Sequence, residues 1–155
     1  EKRLSLSEPK IRAFVGIISA LAFFSLGRLD YTYINIGRLL LGITLLCVCD
    51  IKGTAWSAAI GLPAVFGLCA ANPEMGAAGA CLAFSAGAAC AFSKRGKITR
   101  AVGFVFIAAV GTLISHNDEG SWRIMIEAAA AAAVYAAIPF ERLKKAENDF
   151  SDGAA

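Results

Sequence analysis

The chain has 155 residues and a net charge of only +3, and 57% of its residues are hydrophobic against 17% charged, where a soluble domain carries roughly a quarter of its residues charged. A domain of this length has a high ratio of surface to volume, and there is too little polar material here to cover it in water. The composition excludes an ordinary soluble fold and predicts a chain embedded in lipid.

Six apolar runs follow one another, at 12–27, 33–49, 54–71, 75–93, 101–115 and 123–138. Each is roughly 15 to 19 residues long, close to the 20 or so that cross a 30 Å hydrocarbon core. None shows the continuous polar face of a soluble amphipathic helix or the alternation of a barrel strand. The predicted fold is all-α, a polytopic membrane bundle of about six transmembrane helices. Residues 1–11 are expected to form a cytoplasmic N-terminal segment, 12–139 the transmembrane domain, and 140–155 a cytoplasmic tail or the start of a linker to a missing domain. The chain opens on Glu1 without a methionine, which reads as a fragment or processed form. The first run is followed by Arg28 and Asp30 without a small-residue cleavage pattern, so it is read as retained and not as a signal peptide.

The second run carries Arg38, and the third carries Gly53, Ser57, Gly61 and Ala64 as a stripe of small side chains. Pro63 in the third run removes one backbone donor and predicts a bend. The fourth run repeats the stripe with Gly76, Ala80, Ala83, Gly87 and Cys90. Small side chains let helix backbones approach closely in lipid, where packing drives association, so both stripes are predicted as helix-packing faces. Ala89 is expected off the stripe. Five cysteines, Cys47, Cys49, Cys69, Cys81 and Cys90, lie inside apolar runs without metal or redox spacing and read as small hydrophobes.

Between the fourth and fifth runs, Lys94, Arg95, Lys97 and Arg100 form a short cationic stretch. If the runs cross in turn, twelve of the Lys and Arg residues fall on one side and only Arg28, Arg38 and Arg123 on the other. Cations are in excess in cytoplasmic loops, which predicts both termini in the cytoplasm. The four cations are then topology signals. No aromatic stacking platform or motif accompanies them, so nucleic acid is not an expected partner.

The sixth run holds six consecutive alanines, 128 to 133, preceded by Glu127. A central charge costs about 2.5 to 3.5 kcal/mol on the insertion scale, enough to cancel several apolar residues. The run needs protein neighbours to stay inserted, or else lies on the surface as an alanine-rich helix. Arg38 and Glu127 lie twelve positions before Asp50 and Pro139, the markers of the cytoplasmic ends of their runs. That puts both roughly 18 Å up a core about 30 Å thick, and opposite charges at matched depth predict an intramembrane ion pair between the second and sixth runs. Snorkelling of Arg38 towards the surface is the alternative.

The stretches "INIGRLLLGITLLCVCDIKGTAWSAAIGLPAVFGL", "EMGAAGACLAFSAGAACAFSKRGKITRAVGFVFIAAVGTLI" and "IEAAAAAAVYAAIPFERLKK" resemble the later helices of the membrane domain of the stage II sporulation protein E family. The similarity lies in an arginine opening an apolar run, a glycine-punctuated run after it, a small-residue helix ending in a Gly-Lys loop, and a last helix ending in proline and basic residues. The resemblance covers about residues 34 to 145. It implies membrane anchoring and self-association for a serine phosphatase that activates the forespore sigma factor at the polar septum, with cell-division proteins as partners. This chain has about six runs and no phosphatase domain, so no catalytic residue is carried over and no enzyme activity is expected of it. Manganese or magnesium belongs, by the same resemblance, to the missing domain, and no cofactor is expected here. The lone His116, with Asp118 and Glu119, offers too few converging ligands for a metal site. The alternative function is a small transporter or channel subunit, for which Pro63 and the intramembrane charges are the motive.

Overall fold

In the computed structural model the described residues are 8–31, 34–73, 75–91, 96–114 and 121–139. Six helices make up nearly all of them: α1 Glu8–Gly27, α2 Ile36–Lys52, α3 Thr54–Ala71, α4 Met75–Ala91, α5 Lys97–Ile114 and α6 Ser121–Ala137. Each apolar run of the sequence becomes one helix. The departure from an all-helical chain is a short antiparallel pair ahead of α2, β1 Asp30–Tyr31 with β2 Ile34–Asn35, in which Asp30 faces Asn35 and Tyr31 faces Ile34. Helix α1 begins four residues inside the segment expected to precede the membrane domain. Lys94, Arg95, the His116 loop and the tail after Pro139 lie outside the described residues.

Helix α2 stands at the centre. It packs on α3, α4 and α6 and more lightly on α1, while α1, α3, α4, α5 and α6 follow one another around it in an arc. Among the described residues α2 exposes no large apolar side chain, whereas each of the other five helices does. Phe66 and Phe84 are both 74% exposed, yet Glu127 is fully enclosed and Arg38 is only 7% exposed. Polarity is therefore turned inside out relative to a soluble domain, which rarely shows broad apolar patches to water.

Three helices, α1 from Pro9, α3 and α5, are long and apolar enough to cross a membrane, and they mark the chain as a membrane protein. The other three have 17 residues each, about 26 Å at 1.5 Å per residue, a little short of a 30 Å core.

Close packing relies on small residues, though not only on those expected. A side chain at Gly67 would collide with the carbonyl oxygen of Ala20, and one at Gly16 would sit 3.0 Å from that of Ala59, so α1 and α3 touch backbone to backbone. The Ser19 hydroxyl adds a 3.2 Å bond to the Ile60 carbonyl across the same contact. This interface was not legible as a stripe in the first run. In α3, Ser57, Gly61 and Ala64 are buried as predicted from their spacing, and a Cβ on Gly61 would meet Leu45 of α2 at 3.0 Å. Gly53 corrects the expectation: it is the single residue between α2 and α3, at φ 83°, where a side chain would be strained. It makes the turn and is not part of the packing face. Helix α3 runs unbroken through Pro63.

Helix α4 corrects it further. Ala80 and Gly87 are exposed, Ala83 is half-buried, and an added Cβ at Gly87 meets nothing within 4 Å. Gly76 lies in the first turn of α4. The face that meets the bundle is instead Ala78, Leu82, Ala86 and Ala89. A helix with alanine or glycine on every side has no contrast of size to orient it, so neighbouring helices chose the face. Cys49 of α2 and Cys90 of α4, with Cα atoms 6.1 Å apart, are joined as a disulfide, at a separation usual for such bridges. Their 41-residue spacing hid this in the sequence, where all five cysteines read as packing groups.

The two glycine environments give opposite expectations. Gly67→Ala should force α1 off α3 and lower stability by about 1–3 kcal/mol, the usual effect of overpacking. Gly87→Ala should be neutral or slightly stabilising, because alanine is the better helix former. Thermal unfolding of the two purified variants in detergent checks this, and equal midpoints would contradict the α1–α3 contact.

Candidate functional site

Two groups of buried charge lie at opposite ends of α2. The first forms where the strand pair hands the chain to α2. Asn35 caps that helix, its Oδ1 accepting from the Arg38 N–H at 3.0 Å, while its Nδ2 donates to the Gly27 carbonyl at 3.4 Å. Asparagine is favoured at this position because it satisfies one orphan N–H of the first turn. The backbone N–H of Asn35 donates to Glu127 Oε1 at 2.7 Å. Arg38 meets the same carboxylate through two guanidinium nitrogens: Nη2 donates to Oε1 at 2.9 Å, and Nε lies 2.9 Å from Oε2 as an ion-pair contact outside hydrogen-bond alignment.

The pair thus combines one charge-assisted hydrogen bond with a second close ion contact. Asn35 and Glu127 are both fully enclosed. A lone charge there would be prohibitive, but Glu127 Oε1 accepts from both Arg38 and the Asn35 N–H, and the charges cancel. The structure brings together the two residues that the sequence placed at one depth, and Arg38 does not snorkel. Asn35, which joins α1, α2 and α6, was missed; an asparagine near the start of the second apolar run, three residues before Arg38, was its signal.

The second group closes the other end. Asp50, in the last turn of α2, pairs with Arg100 in the first turn of α5. The Tyr135 hydroxyl of α6 donates to Asp50 and accepts from Arg100 Nη1 at 3.0 Å. Arg100 is 5% exposed and Tyr135 fully enclosed. Lys97 lies 5.0 Å from the centre of the Tyr135 ring and donates to the carbonyls of Ala136 and Ile138. It thus caps the open C-terminal end of α6, where a cation is favoured.

The cationic stretch therefore divides. Lys97 and Arg100 are the opening turn of α5 and hold three helices together, a role that the count of cations by side did not disclose. Matched depth could have found the Asp50–Arg100 pair as it found Arg38–Glu127, since both residues border their runs at the same end.

About 18 Å of α2 separates Arg38 from Asp50, at 1.5 Å per residue. The space between the clusters is filled by Leu41, Leu45 and Leu46 of α2, Phe104 and Ala108 of α5, and Ala128, Ala131 and Ala132 of α6, all buried. A Cβ on Gly42 would meet Ala131 at 3.0 Å and Phe104 at 3.3 Å, so the alanines of α6 let it lie directly on α2. This is the close packing expected of the alanine run, with α6 inside the bundle along one face and not on its surface. The arrangement binds helices to one another. No group of three or more His, Cys, Asp or Glu side chains suited to a metal converges among the described residues. Compared with known proteins, the chain matches no family model, no curated protein and no solved structure.

Arg38→Glu and Glu127→Arg should each cost about 3–5 kcal/mol, the effect of leaving one buried charge unpaired. The double exchange should recover part of the loss but not all, because an arginine at 127 offers no acceptor to the Asn35 N–H. Folded yield and unfolding midpoint of the three variants measure this; a double variant no better than the worse single one would remove the pair as a source of stability.

At the other end Tyr135→Phe should cost about 1.5–3 kcal/mol, as expected for a hydrogen bond to a charged group. Asp50→Ala should cost about 3–5 kcal/mol by stranding Arg100. Detergent unfolding of both variants gives the comparison, and two effects close to zero would mean the cluster is open to water.

Proposed function

We propose that the chain is a membrane-anchoring and assembly domain whose six helices all cross the bacterial cytoplasmic membrane, with both termini on the cytoplasmic side. The observation that carries this reading is the inverted polarity: two charge clusters enclosed between helices, and phenylalanine, leucine and isoleucine turned outward around them. Lipid accepts that outer surface, and buried ion pairs between helices are how a membrane bundle tolerates ionised groups. The short helices α2, α4 and α6 are compatible with crossing, since spanning segments of about 17 residues lie at the lower end of the usual range. The excess of Lys and Arg on one side supplies the orientation.

The resemblance to the stage II sporulation protein E family gives the proposal its particular form. In that form the domain holds a serine phosphatase at the polar septum, beside division proteins, and associates with further copies of itself. Catalysis and its metal ions then belong to residues outside these 155. The packed apolar layer between the clusters favours anchoring over a conduit. Pro63 sits against Gly16 of α1, away from the charges, so the two motives for a transporter do not meet at one place.

Single cysteines in an otherwise cysteine-free chain test the crossing. Pro73→Cys, in the turn between α3 and α4, should react with a membrane-impermeant maleimide added to intact cells. Lys52→Cys, exposed at the end of α2, should react only after the membrane is opened. The reverse pattern would invert the orientation, and reaction of both in intact cells would overturn the crossing of α3.

A further inference from the structure

A groove of about 700 Å³ lies between α3 and α4, lined by Ala58, Gly61 and Val65 on one wall and Ala80, Phe84 and Gly87 on the other. It starts at Thr54, the first residue of α3, and follows that helix to Val65, roughly 16 Å at 1.5 Å per residue. Its outer side is open. In a bilayer such a recess cannot stay empty, because atoms lining a void lose their dispersion contacts, and hydrocarbon is the medium at hand.

The Thr54 end carries charge information. Lys52, two residues before Thr54 across the Gly53 turn, is exposed. The first turn of α3 contains no acidic residue, and its Gly53 cap supplies no side-chain acceptor, so the positive end of the helix dipole faces the same opening. Asp50, the carboxylate nearest in sequence, is turned inward onto Arg100. Trp56 lies in the same turn, with Arg12 stacked 5.4 Å from a ring centre, a pairing suited to the level of the headgroups.

We infer that the α3–α4 groove is a site for an anionic phospholipid, one acyl chain lying along Ala58, Gly61, Ala80 and Gly87 and the phosphate at Lys52 and the N-terminus of α3. Charge complementarity selects an anionic headgroup over a zwitterionic one, and the small side chains give the acyl chain its depth. The inference rests on the membrane reading above and goes beyond it, since anchoring alone requires no lipid preference.

The test uses the full chain with Trp122→Phe, which leaves Trp56 as the only tryptophan, reconstituted in phosphatidylcholine vesicles. Acyl-brominated phosphatidylglycerol or acyl-brominated phosphatidylcholine is added as quencher at equal low fraction. Phosphatidylglycerol should quench Trp56 about fivefold more effectively, the effect of one lysine at a membrane surface. Lys52→Gln should abolish that preference, while Lys10→Gln, exposed on α1, should leave it. Gly87→Leu fills space that is empty in the structure and should reduce quenching by both lipids, with Ala80→Leu as a second filling variant. Equal quenching by the two lipids, or an equal loss of preference in Lys10→Gln and Lys52→Gln, would overturn the site in favour of general attraction to the surface. Unchanged quenching in both filling variants would also overturn it, as would a Gly87→Cys disulfide between two chains, which would make the groove an interface between copies. No quenching by either lipid would overturn the membrane reading itself.

Discussion

An arginine and a glutamate in the interior of a bundle this apolar leave the chain few ways to fold. Separately each is unacceptable in the core and expensive in lipid. Together, as the two-pronged contact of Arg38 with Glu127, they need the first turn of α2 and the second turn of α6 to lie side by side. Much else follows from that contact. Helix α6 must come close to α2, and alanines at 128, 131 and 132 with Gly42 opposite them allow it. The chain before α2 adds a backbone N–H to the same carboxylate oxygen that Arg38 bonds, and the short strand pair places it there through Asn35.

The opposite end repeats the solution with different parts. Asp50, Arg100 and Tyr135 bring α2, α5 and α6 to one point, and Lys97 closes the last carbonyls of α6. The sixth helix is thus held at both ends, with an apolar layer between. A helix that is weakly apolar by itself becomes a fixed member of the bundle because its polar groups are satisfied by neighbours.

Small residues do two kinds of work in this fold. Where they face a neighbour, as at Gly67 against Ala20 and Gly61 against Leu45, they set the distance between helices. Where they face outward, as at Ala80 and Gly87, they leave a recess whose filling the surrounding medium decides. The same residue type at the same spacing serves both, and only the position of the other helices separates them.

The sequence by itself determined that the chain is helical, that its six apolar runs are six helices, and that Arg38 and Glu127 share a depth. Hydropathy, helical rise and the energetic demand of a buried charge are local or one-dimensional quantities, so they can be read along the chain. Tertiary structure decided which face of α4 turns inward, that Gly53 is a turn and not a packing residue, and that Asn35 completes the Glu127 site. It also turned Lys97 and Arg100 from loop charges into helix ties and brought Cys49 to Cys90. These depend on the rotation of each helix about its own axis, and a surface of alanine and glycine carries too little difference in size or polarity to fix that rotation before the neighbours are in place.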